Sequence, residues 1–372
     1  MNTATVNTKE LSRILSVCER TTKRTPCPAL RNVAISLNGS ALITWTDREQ
    51  NLSVFIPCQH EGEDFAVLLN GVSLASAIRG DRSGIVELCG NGTISCDGVR
   101  QTIGHIDEDG SAIYRPAALV IRDNGKCHSE TVLVADLRDA IDKTLYAVDP
   151  DSSRYALGAI RIETNTDGMQ FVATDSRRLV VASIRRAKEN GEAGNFETML
   201  PAMFAENLLK LLPEAGEVRI TENGEDIHFQ WDGGTYLCRS MQGRFPRYRD
   251  VFPYSHDLEI TFNVSAALKA LKELKPHVSP ENRGIDCRPS FTRGEMIVSA
   301  GPPGEQVSKA FKIQGLDRET SHCSAYDLRF LVGYLESLSK KSSVTLRLRD
   351  DGSPARLLCE NTDSVVMPLA RD

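Results

Sequence analysis

Leu137-Arg138-Asp139-Ala140-Ile141 is followed by Ile160-Arg161-Ile162, then Asp167-Gly168, then Met169-Gln170-Phe171-Val172-Ala173. The first stretch puts its apolar residues on one helix face. The stretches flanking Asp167-Gly168 alternate with a period of two. An Asp-Gly pair supplies the positive φ angles of a tight hairpin. One amphipathic helix followed by two antiparallel strands is the resulting unit.

The same unit recurs six times. Its helix centres fall at Leu15, Ile78, Ile141, Leu208, Leu271 and Val332, spaced by roughly 61 to 67 residues. Asn38-Gly39, Asn223-Gly224 and Asp351-Gly352 repeat the turn, with weaker versions at Gly90-Asn91-Gly92 and Arg293-Gly294. A longer period is superimposed. Thr44-Trp45-Thr46-Asp47, Val172-Ala173-Thr174-Asp175 and Val298-Ser299-Ala300 close the second strands of the odd-numbered copies, roughly 125 to 128 residues apart. The pattern predicts an α+β chain of three repeated domains, each of two half-copies. Polar stretches at 122–130 and 254–257 set the expected limits at 1–128, 129–255 and 256–372.

A chain of 372 residues is long enough for two or three domains with their own cores. Its formal net charge of −6 excludes a general polycation but not a local basic face. The ten cysteines form no Cys-x-x-Cys pair and the histidines are scattered, so no metal site is expected. The cysteines read as buried free thiols of a reducing compartment. With no apolar signal core at the start and no apolar run of membrane-spanning length, the expectation is a cytoplasmic protein with no membrane partner.

Catalytic signatures are missing: no P-loop, no Gly-x-Gly-x-x-Gly after a strand, no Gly-x-Ser-x-Gly, no His-Glu-x-x-His. Acid clusters such as Asp107-Glu108-Asp109 and Asp350-Asp351 fall in turn-like segments, and His277 has no identifiable partner. The expectation is a binding scaffold with no catalytic residue and no cofactor.

Three segments break the repeat. Thr174-Asp175-Ser176-Arg177-Arg178-Leu179 turns sharply at a strand end, as either an exposed loop or a site. In 243–253, prolines stiffen a segment that Phe245, Tyr248 and Phe252 can anchor, as a packed linker or a binding surface. The C-terminal Val365-Val366-Met367-Pro368-Leu369-Ala370 is apolar where chain ends are usually polar, so the expectation is that it lies along a groove, either closing the last domain or lining a site.

In this order, the segments resemble the bacterial DNA polymerase III beta subunit, the sliding clamp family. Its Ala-Thr-Asp-x-x-Arg-Leu, Gly-Arg-Phe-Pro-x-Tyr and Val-Met-Pro-like motifs match 173–179, 243–248 and 366–368, and 25–32 is similar to its first-domain loop. The resemblance covers essentially the whole chain. It implies the DNA clamp fold, a head-to-tail homodimeric ring with helices lining the hole, and no enzymatic activity. The implied role is to encircle double-stranded DNA and give DNA polymerase subunits processivity after a clamp loader opens the ring.

Residue by residue, the resemblance implies a pocket for partner peptides between the middle and last domains. Its walls are Leu157, Thr174, Arg178, Leu179, Pro246, Val251, Val365, Val366, Met367, Pro368 and Leu369. Thr174 and Arg178 are expected to orient the peptide, and apolar residues with an adaptable Met to hold it. Arg20, Lys23, Arg24, Arg79, Arg138, Lys210 and Lys272 are the expected contacts to DNA phosphates. His277, Val278, Thr102, Ile103 and Gly104 are the expected subunit contact.

Departures from the family pattern qualify this picture. Pro201-Ala202-Met203 replaces a basic helix start, and 149–153 is acidic where the family reaches DNA. Asp250 and Ala370 stand where basic residues are frequent, and His277-Val278 replaces an apolar pair. They keep open a divergent accessory clamp, serving a mobile element or a specialised polymerase, with weaker closure or DNA contact. A nucleic-acid-modifying enzyme is the alternative of a different class.

Overall fold

The structure is a computed structural model. It describes residues 2–23, 25, 27–105, 127–149, 151, 155–185, 196–302 and 304–370. Each predicted copy is present, but larger than the alternation indicated. A short strand enters each helix, and at least three strands leave it.

The first copy runs β1 (Thr3–Asn7), α1 (Thr8–Thr22), β2 (Asn32–Leu37), β3 (Ala41–Thr46), β4 (Gln50–Ile56) and β5 (Cys58–Glu61). The second runs β6 (Ala66–Asn70), α2 (Gly71–Ala77), β7 (Ile85–Cys89), β8 (Thr93–Cys96), β9 (Val99–Thr102) and β10 (Gly104–His105). The third has β11 (His128–Leu133), α3 (Val134–Leu145), β12 (Ala159–Asn165), β13 (Gly168–Thr174) and β14 (Arg178–Arg185). The fourth has β15 (Glu197–Pro201), α4 (Ala202–Leu211), β16 (Glu217–Glu222), β17 (Asp226–Trp231) and β18 (Gly234–Arg239). The fifth has β19 (Leu258–Asn263), α5 (Val264–Leu274), β20 (Gly284–Ser290), β21 (Glu295–Ala300) and β22 (Val307–Lys312). The sixth has β23 (Ser324–Asp327), α6 (Leu328–Glu336), β24 (Ser343–Leu348), β25 (Ala355–Cys359) and β26 (Thr362–Val366).

Four helices start where a strand ends on Asn or Asp. The side-chain oxygens of Asn7, Asn70, Asn263 and Asp327 accept backbone N–H groups of the first helical turn. These groups have no partner within a helix, so the cap fixes where strand becomes helix.

The entering strands are exchanged within successive pairs of copies, always antiparallel. β1 pairs with β7 and β6 with β2. β11 pairs with β16 and β15 with β12. β19 pairs with β24 and β23 with β20. Each copy therefore completes a sheet of its neighbour.

The chain divides into two compact units. One comprises Met1–Ala135 and Met203–Ser240, the other Asp136–Ala202 and Met241–Asp372. The first holds a five-stranded sheet, β5-β1-β7-β8-β9, and a nine-stranded sheet, β10-β6-β2-β3-β4-β18-β17-β16-β11. Its core includes Leu11, Ile14, Leu15, Leu74 and Trp45, all at most 1% exposed. Buried Gln50 accepts hydrogen bonds from Asn207 Nδ2 at 2.7 Å and the Tyr236 hydroxyl at 2.5 Å. The second unit holds an eight-stranded sheet, β15-β12-β13-β14-β26-β25-β24-β19, and a four-stranded sheet, β22-β21-β20-β23. Helices α5 and α6 pack into its main core, with Leu271, Leu274, Tyr334 and Leu335 buried. All ten cysteines are free thiols, six of them buried.

Candidate functional site

The β13–β14 turn is built from its own side chains. The Thr174 hydroxyl accepts the Ser176 N–H at 3.1 Å and donates to the Arg178 carbonyl at 2.7 Å. Asp175 Oδ1 accepts the N–H groups of Arg177 and Arg178, both at 2.9 Å. Ser176 sits at the tip with φ +75°, a left-handed conformation uncommon for a residue with a Cβ. β26 runs alongside, with Leu179 opposite Val365. The pairing continues past the strand, because the Met367 N–H donates to the Arg177 carbonyl at 2.9 Å.

A concavity of about 240 Å³ opens over this junction. Leu179, Val365 and Tyr248 form its buried floor and belong to a small apolar cluster with Val172, Val181 and Phe245. Pro246, Val251 and Met367 rim it, the last two 43% and 37% exposed. Thr174, Ser176, Arg177 and Arg178 complete the lining.

Segment 243–253 is held as its aromatics predict. Phe245 and Tyr248 are 5% and 4% exposed and meet edge to face, with ring centroids 6.3 Å apart. The Tyr248 hydroxyl donates to Glu163 Oε1 at 2.7 Å. Glu163, itself buried, also pairs with Arg161 at 2.7 Å and with Arg249. Burial raises the pKa of this carboxyl, but Tyr248 and the two guanidinium groups outweigh it and hold the group below the usual glutamate range.

Seven of the eleven expected pocket residues line this concavity: Thr174, Arg178, Leu179, Pro246, Val251, Val365 and Met367. The other four do not. Leu157 is buried, and its carbonyl accepts the Asp149 N–H. Val366 points the opposite way from Val365 along β26, into the main core of this unit. Pro368 follows the strand, and the Leu369 N–H donates to the Ala325 carbonyl at 2.7 Å, leading the chain end to β23.

The orienting role expected of Arg178 meets a physical obstacle. Its guanidinium pairs with Asp175 at 2.9 Å and stacks over Phe330 at 4.7 Å and Tyr146 at 5.1 Å. The exposed cation of the turn is its neighbour Arg177. Ser176, Arg177 and Tyr248 stand in the sequence within the singled-out segments but not among the expected pocket walls, and they line the concavity. Period-two alternation running back from buried Leu179 was the available signal, since it separates Arg178 from the floor.

Several cations expected to meet phosphate are engaged by acids. Glu19 Oε1 lies 2.6 Å from Lys23 Nζ and 2.8 Å from an Arg79 guanidinium nitrogen. The Lys23 hydrogen bond, chiefly, holds the Glu19 carboxyl below its usual range. Lys272 pairs with Glu336 at 2.7 Å. Arg138 lies on α3, and Lys210, on α4, is exposed. Arg24 and the side chain of Arg20 lie outside the described residues, as do Arg154 and most of the acidic segment before it.

Thr102 ends β9, an exposed strand at the free edge of its sheet. Ile103 and Gly104 donate their N–H groups to the Gly92 carbonyl. A Cβ on Gly104 would stand 2.7 Å from Gly92 Cα, so no side chain fits there. His277 is exposed at the end of a 3-10 turn after α5, and Val278 packs on the main core of its unit.

Among the described residues a serine–histidine–aspartate chain occurs. His322 lies 2.9 Å from Ser324 Oγ and 3.1 Å from Asp351 Oδ1. Ser324 is 1% exposed and its hydroxyl also lies 3.2 Å from the Asp351 carbonyl, so the chain is closed to a substrate and ties β23 to the β24–β25 turn. Among the described residues, no cluster of His, Cys, Asp and Glu is arranged to hold a metal ion.

Comparison with known proteins gives concordant results. The family model for the DNA polymerase III beta subunit, central domain, matches residues 131–247. The chain is 23% identical over 235 residues to the beta sliding clamp of Synechococcus elongatus, covering 62% of this chain and 60% of that protein. Against the beta sliding clamp of Streptomyces coelicolor it is 24% identical over 289 residues, covering 75% and 73%. The fold matches the DNA polymerase III subunit beta of Pseudomonas aeruginosa over 100% of both chains, with a TM-score of 0.80 at 19% identity. The polymerase sliding clamp of Bacillus subtilis matches with a TM-score of 0.81 at 16% identity, again over 100% of both. The chain thus has the fold of the DNA polymerase III beta subunits along its full length, and its middle matches the model of that family's central domain.

Proposed function

We propose that this protein is a DNA sliding clamp. Two copies close head to tail into a ring around double-stranded DNA. DNA polymerase subunits and repair proteins dock by short peptides in the concavity over β14 and β26. Binding is topological and the protein catalyses nothing. The observation that carries the reading is the full-length clamp fold bearing an apolar, solvent-open pocket on its Thr174–Leu179 turn. In this reading the domains are 1–128, 129–255 and 256–372, and Thr102–Gly104 meets His277-Val278 of a second copy. A clamp loader supplies opening.

The experiment is retention on DNA. Loaded protein should stay on nicked circles and run off once they are linearised. Equal loss from both overturns topological binding. A second reading, an accessory clamp with weaker DNA contact, is favoured by Glu19 and Glu336, which engage three of the expected phosphate-binding cations. Its hold on nicked circles would be weaker at low salt, with a shallower salt dependence, because fewer cations are free to meet phosphate.

A further inference from the structure

We infer that the core between α5, α6 and strands β19–β25 holds a dry binding site for one small apolar molecule with a single hydrogen-bond acceptor, and that the Tyr326 hydroxyl bonds that acceptor. A cavity of about 40 Å³ lies there. The strand and helix periods turn apolar side chains toward it from every element of the wall. Two of those elements contribute only a methyl group: Ala267 of α5 and Ala355 of β25, 0% and 1% exposed. The space that these alanines leave is not closed by their neighbours. A void forfeits dispersion contacts along its lining, and a guest of the right size recovers them.

The polar groups of the wall decide what that guest is. The volume is roughly three times what one water needs, but a buried water also needs about two to four polar partners. His322 has both ring nitrogens engaged, one 2.9 Å from Ser324 Oγ and the other 3.1 Å from Asp351 Oδ1. Burial pushes the Cys287 thiol up to about 12, so it stays neutral and offers a soft sulfur rather than a charge. Tyr326 is different. The residue is 3% exposed, and its hydroxyl oxygen is buried with no hydrogen-bond partner. Ser324, on the same face of β23, is bonded to His322 and the Asp351 carbonyl instead. One hydroxyl cannot hold a water by itself. It can donate to one acceptor on an otherwise apolar guest, which removes the cost of leaving it buried and unbonded. The size admits about three heavy atoms, well short of the benzene that a cavity of about 150 Å³ takes. The opening is on the side of Cys287 and Leu331, since the other lining residues are all buried.

The test uses the full chain, with xenon and dimethyl ether as probes, and reads methyl NMR spectra under increasing pressure of each gas. The Ala267 and Ala355 methyls should shift and saturate with both. Ala355→Val should abolish the response of the remaining lining methyls by filling the space, and Ala267→Val does the same from another element if the first variant fails to fold. Tyr326→Phe should weaken dimethyl ether by about three- to tenfold, the range of one hydrogen bond, and leave xenon unchanged. If the lining methyls answer neither gas, or answer equally in a filled variant, the site is wrong. If xenon binds but Tyr326→Phe leaves the ether affinity unchanged, the acceptor assignment is overturned. A resident water giving Overhauser effects to these methyls would overturn the dry, apolar reading.

Discussion

Glu163→Gln is the most direct test of how the pocket floor is supported. The carboxylate is 8% exposed and accepts from Arg161, Arg249 and the Tyr248 hydroxyl at once. Glutamine keeps the shape and removes the charge. It also turns one acceptor into a donor, which neither guanidinium group can accept and only the Tyr248 hydroxyl could, by reversing its own bond. Hydrogen bonds to a charged group contribute roughly 1.5–3 kcal/mol, and Arg249, 62% exposed, retains water as an alternative partner. We expect a loss of about 2 kcal/mol. The unit containing the site has roughly 200 residues, for which 1 kcal/mol moves the midpoint by about 2–4 °C, so its melting temperature should fall by about 4–8 °C at pH 7. The pH dependence has a definite sign. The folded-state pKa of Glu163 is depressed, so its stabilisation is complete above the unfolded glutamate pKa and is lost as pH falls through the folded value. Wild type and Glu163→Gln should therefore converge below the ordinary glutamate range. A difference under 1 °C at pH 7, or a gap that widens on acidification, would refute the argument.

Two further outcomes are expected. Glu19→Gln releases Lys23 and Arg79, so duplex DNA affinity should rise and the slope of log K against log salt should steepen by about one to two; an unchanged slope would mean these cations do not face phosphate. Ser176→Gly relieves a left-handed residue, and the melting temperature of its unit should rise by about 1–3 °C, from roughly 0.5–1 kcal/mol; a fall would show that the Ser176 side chain stabilises the turn.

The helices were legible because a buried face writes a 3.6-residue period into the sequence, as at Leu137, Ala140 and Ile141. The entering strands were not. Thr3–Asn7 alternates threonine with alanine and valine, too little apolar contrast to stand out, although the capping Asn or Asp at its end recurs in three other copies. β14 was read as a motif rather than a strand, because Arg178 and Leu179 drew attention from the alternation that continues through Val181. The pocket's turn and rim were visible in Thr174, Leu179 and Pro246. What occupies Arg178 was not, since Tyr146, Phe330 and Arg178 are far apart in sequence and only packing brings them together. Glu163 was hidden for the same reason: its hydrogen-bond partner Tyr248 lies 85 residues downstream.

The pairing of β4 with β18 also sets a timetable for synthesis. β4 bonds to β18, whose residues leave the ribosome some 180 positions later, and the intervening 136–202 belong to the other unit. At roughly 5–20 residues per second the nascent chain carries that unfilled edge for about 10–40 seconds. Throughout that interval the β4 edge is a template for any other strand in the cell. The exposed, charge-bearing turns between copies and chaperone cover would then decide yield, so slowing translation after residue 56 should lower the soluble fraction, whereas slowing it after residue 240 should not.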